Sequence, residues 1–189
     1  MKVVALCVMA VVSAGVIAGG CVPPFEIPSE TQIEVPGEGI LGGNPLLPEQ
    51  VFPSDVIADA LVDSINQSFD TSGYDKGSVK SLKLTKLSLT VTNPEEQGGR
   101  QLRDLSFLEK LTVSLGVPDG EPIKVAESDE TGFVEGQIAY DMPLTDAELA
   151  EAFKASDALD MTADVDAGDP PQFATEVRID TIITVQVGL

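Results

Sequence analysis

Residues 173–189 read FATEVRIDTIITVQVGL. Phe173, Thr175, Val177, Ile179, Thr181, Ile183, Val185, Val187 and Leu189 keep one phase, while Glu176, Arg178, Asp180, Thr184 and Gln186 keep the other. Successive side chains of a strand point to opposite faces, so this pattern is a long strand buried on one side and wetted on the other. Its β-branched residues suit a pleated, half-buried surface. A strand of this length and regularity is expected at the centre of a sheet, paired on both edges, with a second layer over its apolar face.

Upstream, the same period of two recurs. Lys110–Val117 alternates through Leu111, Val113, Leu115 and Val117, Ile123–Ala126 is a short strand, and Phe133–Met142 alternates through Val134, Gly136, Ile138 and Tyr140. Ala158–Val165 alternates through Leu159, Met161 and Ala163. The stretch VKSLKLTKLSLTVTNP, from Val79, places Leu82 and Leu84 in one phase and Leu87, Leu89 and Val91 in the other. One extra residue near Thr85–Lys86 restores a common face, which predicts a β-bulge there. Thr31, Ile33 and Val35 alternate with Gln32 and Glu34 between Pro28 and Pro36, which predicts an edge strand over residues 30–35. Pro118-Asp119-Gly120 and Gly168-Asp169-Pro170-Pro171 are turn chemistry. The segment LRDLSFLEK (residues 102–110) is expected to plug a sheet end with one turn of helix.

Two helices interrupt the strands. Ser54 and Asp55 suit a helix start, and Ile57, Leu61, Ile65 and Phe69 follow at helical spacing. Thr145 followed by Glu148 predicts a capping box for a second helix with Leu149, Ala152 and Phe153 on its apolar face. With no second long helix, the first is expected to cover a sheet rather than join a bundle. The fold class is therefore mainly β: an antiparallel β-sandwich of about seven strands with two short helices. The strand end Leu89–Pro94, LTVTNP, resembles the late-embryogenesis-abundant type 2 (water-stress) sandwich, which implies the same architecture.

The N-terminus follows different rules. Met1-Lys2 gives one positive charge, Val3 to Ile17 holds no charged residue, and the small residues Ala18, Gly19 and Gly20 lead into Cys21. A basic start, an apolar run and a small-residue end make a secretory signal. The sequence Ala18-Gly19-Gly20-Cys21 resembles the lipobox of bacterial lipoproteins, with Ala18 standing where that family usually has leucine. The resemblance implies cleavage before Cys21 and acylation of that cysteine. It also implies a membrane-anchored envelope protein, and Val22 in place of Asp after the cysteine implies the outer membrane if the cell is Gram-negative. An uncleaved membrane helix and an ordinary secretory signal are the two competing readings. Val3 to Gly20 is at the short end for a span, holds three glycines and has no basic stop beyond it. The expected organisation is a signal over 1–20, a tether over 21–28 and a single sandwich domain over 29–189.

Cys7 leaves with the signal, so Cys21 is the sole thiol of the mature chain and no internal disulfide can form. Lys2 leaves too. Ten basic residues then face all 31 acidic ones, a net charge of −21. That balance argues against nucleic-acid binding, which needs basic patches against phosphate. The chain has no histidine and no tryptophan. Without histidine or an available thiol, the Ser-His-Asp and Cys-His constellations and the common zinc sites are closed to it.

Catalytic, cofactor and metal residues are not assigned, and Cys21 is the one site residue, for lipid attachment. The acidic string Asp157, Asp160, Asp164, Asp166 and Asp169, and the loop Glu127–Gly132, could offer carboxylates to calcium, although EF-hand spacing is absent. Arg100 and Arg103 could clamp an anion, or stand as solvated loop charges. The functional expectation is a binding or structural role in the envelope toward a protein or glycan partner. The alternative is a carboxylate-dependent hydrolase of envelope or extracellular carbohydrate, since glycoside hydrolysis needs only paired Asp or Glu.

Overall fold

The computed structural model describes residues 4–5, 22–117, 120–156 and 160–188 of the 189-residue chain. In chain order the elements are β1 (Val4–Ala5), β2 (Phe25–Val35), α1 (Glu38–Leu41), α2 (Pro48–Val51), α3 (Ser54–Ser72), β3 (Val79–Val91), β4 (Glu96–Gln97) and β5 (Arg100–Gln101). They continue with β6 (Leu108–Gly116), β7 (Ile123–Glu127), β8 (Ala139–Asp141), α4 (Ala150–Ala155), β9 (Asp160–Ala167) and β10 (Thr175–Val187). One antiparallel sheet has the order β1-β2-β10-β3-β8 and a second has the order β7-β6-β9, with β4 and β5 forming a separate ribbon. The inner faces of both sheets meet in one apolar core.

The C-terminal strand is central. β10 pairs with β2 from Thr175↔Val35 to Val185↔Phe25, and with β3 from Val177↔Val91 to Val187↔Val79. Its odd-numbered positions from Thr175 to Val187 are buried and its even-numbered positions are at least partly exposed. The bulge near Thr85 is present: Ile182 faces Lys86 while Ile183 faces Leu84, so Thr85 is the extra residue. A second irregularity passes over Lys80, and it lets Val79 and Leu82 share the buried face.

Both flanks of the sandwich are closed. On one, α3 packs across β2 of the first sheet and β9 of the second, with Ile57, Leu61, Ile65 and Phe69 buried. On the other, the chain leaves β3's edge at Asp141 and joins β7 through Leu144, with Glu127 N–H donating to the Pro143 carbonyl and Thr145 N–H to the Val125 carbonyl. The segment 139–145 thus stitches the two sheets and covers edges that would otherwise offer unpaired backbone groups.

Several expectations are corrected. The sheet begins at Phe25 and Ile27 is fully buried, while Val22 already packs against the core. Residues 25–28 are therefore strand rather than tether, and β2 is longer than 30–35. Pro28 does not end it, because it lies toward a sheet margin where a missing N–H is tolerated; β1 pairs with β2 only at Thr31 and Gln32. The alternation over Phe133–Met142 yields a strand only at Ala139–Asp141, since Gly136, at φ 83°, sits in a turn closed by Gln137 N–H to the Val134 carbonyl. Residues 102–107 form turns rather than a helix, yet Leu105 and Phe107 are buried and plug the sheet end as expected. Ser54 lies inside α3, and Pro53 is the cap residue. α1 and α2 lie between β2 and α3, in a segment rich in proline and glycine (Pro36, Gly37, Gly39, Gly42, Gly43, Pro45, Pro48 and Pro53). Pro118-Asp119 and residues 157–159 lie outside the described residues.

Candidate functional site

The end of the first sheet where β2 finishes, β10 starts and β3 finishes gathers four loops. β4 and β5 join through Gly98 and Gly99, both in the left-handed region at φ 64° and 82°, as a tight two-residue hairpin requires. Beside it, Gly37 lies flat on the strand entry: a Cβ there would stand 2.7 Å from the carbonyl carbon of Phe173. That approach lets Glu38 N–H reach the Pro171 carbonyl at 2.9 Å. The turn 168–172 is fixed in turn by Gly168 N–H on the Phe107 carbonyl.

Between these loops lies a half-open groove of about 500 Å³, within the usual range for small-ligand sites. Glu38, Arg100, Gln101, Asp104, Glu109 and Glu135 line it, with Asp169 and Gln172 on the turn side. Asp104 is buried and both its oxygens are engaged: Oδ1 accepts from the N–H and hydroxyl of Ser106 at 3.0 and 2.6 Å, and Oδ2 accepts from Gly136 N–H at 2.6 Å. It is a brace between two loops. Arg100 reaches Glu135 at 2.9 Å and remains mostly exposed. The amide oxygen of Gln101 differs from both. It is buried and accepts no hydrogen bond, and such a group ordinarily finds a donor.

The two arginines do not form a clamp. Arg103 turns away from Arg100, donates from Nε to the Ala174 carbonyl at 3.1 Å, pairs with Glu95 and lies 5.5 Å from the Phe173 ring centroid. It ties the ribbon to the start of β10. Asp160, Asp164 and Asp166 are exposed along β9 and Asp169 is exposed beyond it, while Asp157 lies outside the described residues. Among the described residues no three carboxylates converge as metal ligands. In the loop Glu127–Gly132, Asp129 Oδ1 caps its own turn, accepting from the Thr131 hydroxyl at 2.6 Å and from Thr131 and Gly132 N–H. The Thr131 hydroxyl bond above all holds the Asp129 carboxyl below its ordinary range. Lys124 and Lys110 do the same for Glu127.

The acid of the expected capping box has another task. Thr145 donates its hydroxyl to the Lys124 carbonyl at 2.7 Å. Glu148 reaches the irregular start of β3, where its carboxylate accepts from Leu82 N–H at 2.7 Å, the Ser81 hydroxyl at 2.6 Å and Ala150 N–H at 3.1 Å. Partial burial pushes the Glu148 carboxyl up, but these three donors outweigh it and the net shift is downward. Helix α4 consequently starts only at Ala150.

Cys21 lies outside the described residues, and among the described residues no helix is long and apolar enough to cross a membrane. Fold and groove together define an antiparallel β-sandwich with a polar groove at one end. No family model matches this chain, and comparison with curated proteins and with solved structures finds no significant similarity.

Proposed function

We propose that the protein is a lipid-anchored envelope protein whose end groove binds a polar ligand rich in hydrogen-bond donors, with glycan hydroxyls as the class that fits best. The observation that carries the binding reading is the groove's lining, in which Glu38, Glu109, Glu135 and Asp169 stand around Arg100 and Gln101. Acceptors dominate that lining, so they favour a ligand that donates. An anionic ligand would meet Glu38, Glu109, Glu135 and Asp169 with Arg100 already partnered. The anchor rests on the lipobox-like run ending at Cys21. The groove and Phe25, where the first sheet begins, are at opposite ends of that sheet, which suits a domain attached at one end and binding at the other.

Titration of the purified protein with oligosaccharides of bacterial envelopes, read by calorimetry, tests the binding. Gln101→Leu should abolish the heat while leaving the thermal melt unchanged. Binding that survives the substitution would remove Gln101 from the site. Release of reducing ends during the titration would instead establish the carboxylate hydrolase.

A further inference from the structure

We infer, on the reading that Cys21 carries the anchor, that the protein stands end-on upon the bilayer. The end of the sandwich that carries Phe25 and most of the lysines would rest against the lipid headgroups, with the groove pointing away. The first premise is length. Val22 packs against the core and β2 starts at Phe25, so no slack chain separates the attachment point from the domain. Four residues from Cys21 to Phe25 reach about 13 Å even when fully extended, and Pro23-Pro24 stiffens them. A flexible tether would leave orientation unset; this one restricts it.

The second premise is where the cations are. Lys76, Lys80, Lys83, Lys86 and Lys154 are five of the seven lysines beyond position 20. The register puts them at the end where β2 begins: Lys83 faces Thr184, which faces Glu26, and Lys86 faces Ile182, which faces Pro28. Lys80 belongs to the irregularity beside Val187. Lys76 lies 4.4 Å from the ring centroid of Phe153 in α4, the helix that also carries Lys154. The same end holds the ring cluster Phe25, Phe69, Tyr74 and Phe153, with centroids 5.4–6.1 Å apart. Glu26, Asp70, Asp75, Asp146, Glu148, Glu151 and Asp160 outnumber the five lysines there, but that excess is small beside −21, so most of the charge lies elsewhere. An anionic bilayer repels this end least, and repulsion of the rest holds the molecule upright within the ~8–10 Å over which such fields act.

The test uses the full protein expressed from its own signal, purified from the membrane fraction and reconstituted in vesicles of phosphatidylcholine with phosphatidylglycerol. Lysines are acetylated briefly and the digest is read by mass spectrometry, with the unanchored Cys21→Ser protein as reference. Lys80 and Lys86 should be labelled several-fold more slowly on vesicles than in the reference, while Lys110, opposite Asp166 toward the groove end of the second sheet, should be unchanged. The N-terminal peptide in the same digest reports the anchor. An acylated Cys21 with equal labelling of all these lysines overturns the end-on stance alone. An unmodified Cys21 overturns the anchor reading and the stance with it.

Discussion

Ile183 and Thr184 are neighbours on β10 and should respond to truncation in opposite ways. Ile183 is fully buried, faces Leu84 on one side and Ile27 on the other, and lies next to the Thr85 bulge. Ile183→Ala removes three carbons, about 2.4 kcal/mol of transfer free energy at ~0.8 kcal/mol each. A central strand paired on both edges cannot collapse into the space left behind. The cavity therefore adds to the loss and brings the total to about 3–5 kcal/mol. That is a large share of an ordinary domain stability of ~5–15 kcal/mol. Thr184 is half-exposed, and its hydroxyl meets the Thr85 hydroxyl at 2.9 Å. Thr184→Ala forfeits one wetted hydrogen bond, whose loss water can replace, so it should cost no more than ~1 kcal/mol. Urea melts of the two variants at matched slope measure the difference. Equal losses would mean that both faces of the sheet are buried or neither is, and the sandwich reasoning would fail.

Two further expectations concern the margins of the first sheet. Removing residues 1–28 should abolish cooperative unfolding, because it deletes Phe25 and buried Ile27, whereas a chain beginning at Val22 should melt cooperatively; like melts would restore the tether reading. Glu148 has a carboxyl held below the ordinary ~4.3 of glutamate. Its contribution is thus present above that value and lost as pH falls through the lower, folded one. Glu148→Gln should be less stable than wild type at pH 7, and the gap should close as pH falls through the lowered folded value. A gap independent of pH would show that the charge is not what holds β3.

The sandwich was legible because its strands are half-buried, so their period survives in the sequence, as in β10. The Thr85 bulge was legible for the same reason: Leu84 and Leu87 cannot both face inward without it. Where tertiary partners outcompete local signals, the sequence misleads. Thr145 and Glu148 have capping-box spacing, but the Lys124 carbonyl and the β3 backbone take their side chains. Proline at position 28 suggests a strand end, although a sheet margin accepts it. The groove was not legible as a site, although two of its lining residues, Arg100 and Asp169, stood out singly. Gln101, Glu38, Glu135 and the turn 168–172 come from separate segments, and no spacing within any of them announces a shared site. The proposed anchor signal is the reverse case, since the run Ala18-Gly19-Gly20-Cys21 that suggests it is written in consecutive residues.

The central claim, a domain attached through Cys21 that presents its groove outward, is tested most directly by the intact mass of the protein recovered from the membrane fraction. A chain beginning at Cys21 and heavier than its polypeptide by several acyl chains is expected, with Cys21→Ser shifting the protein to the soluble fraction. A membrane-bound chain that still begins at Met1, or a soluble one with an unmodified Cys21, would contradict it.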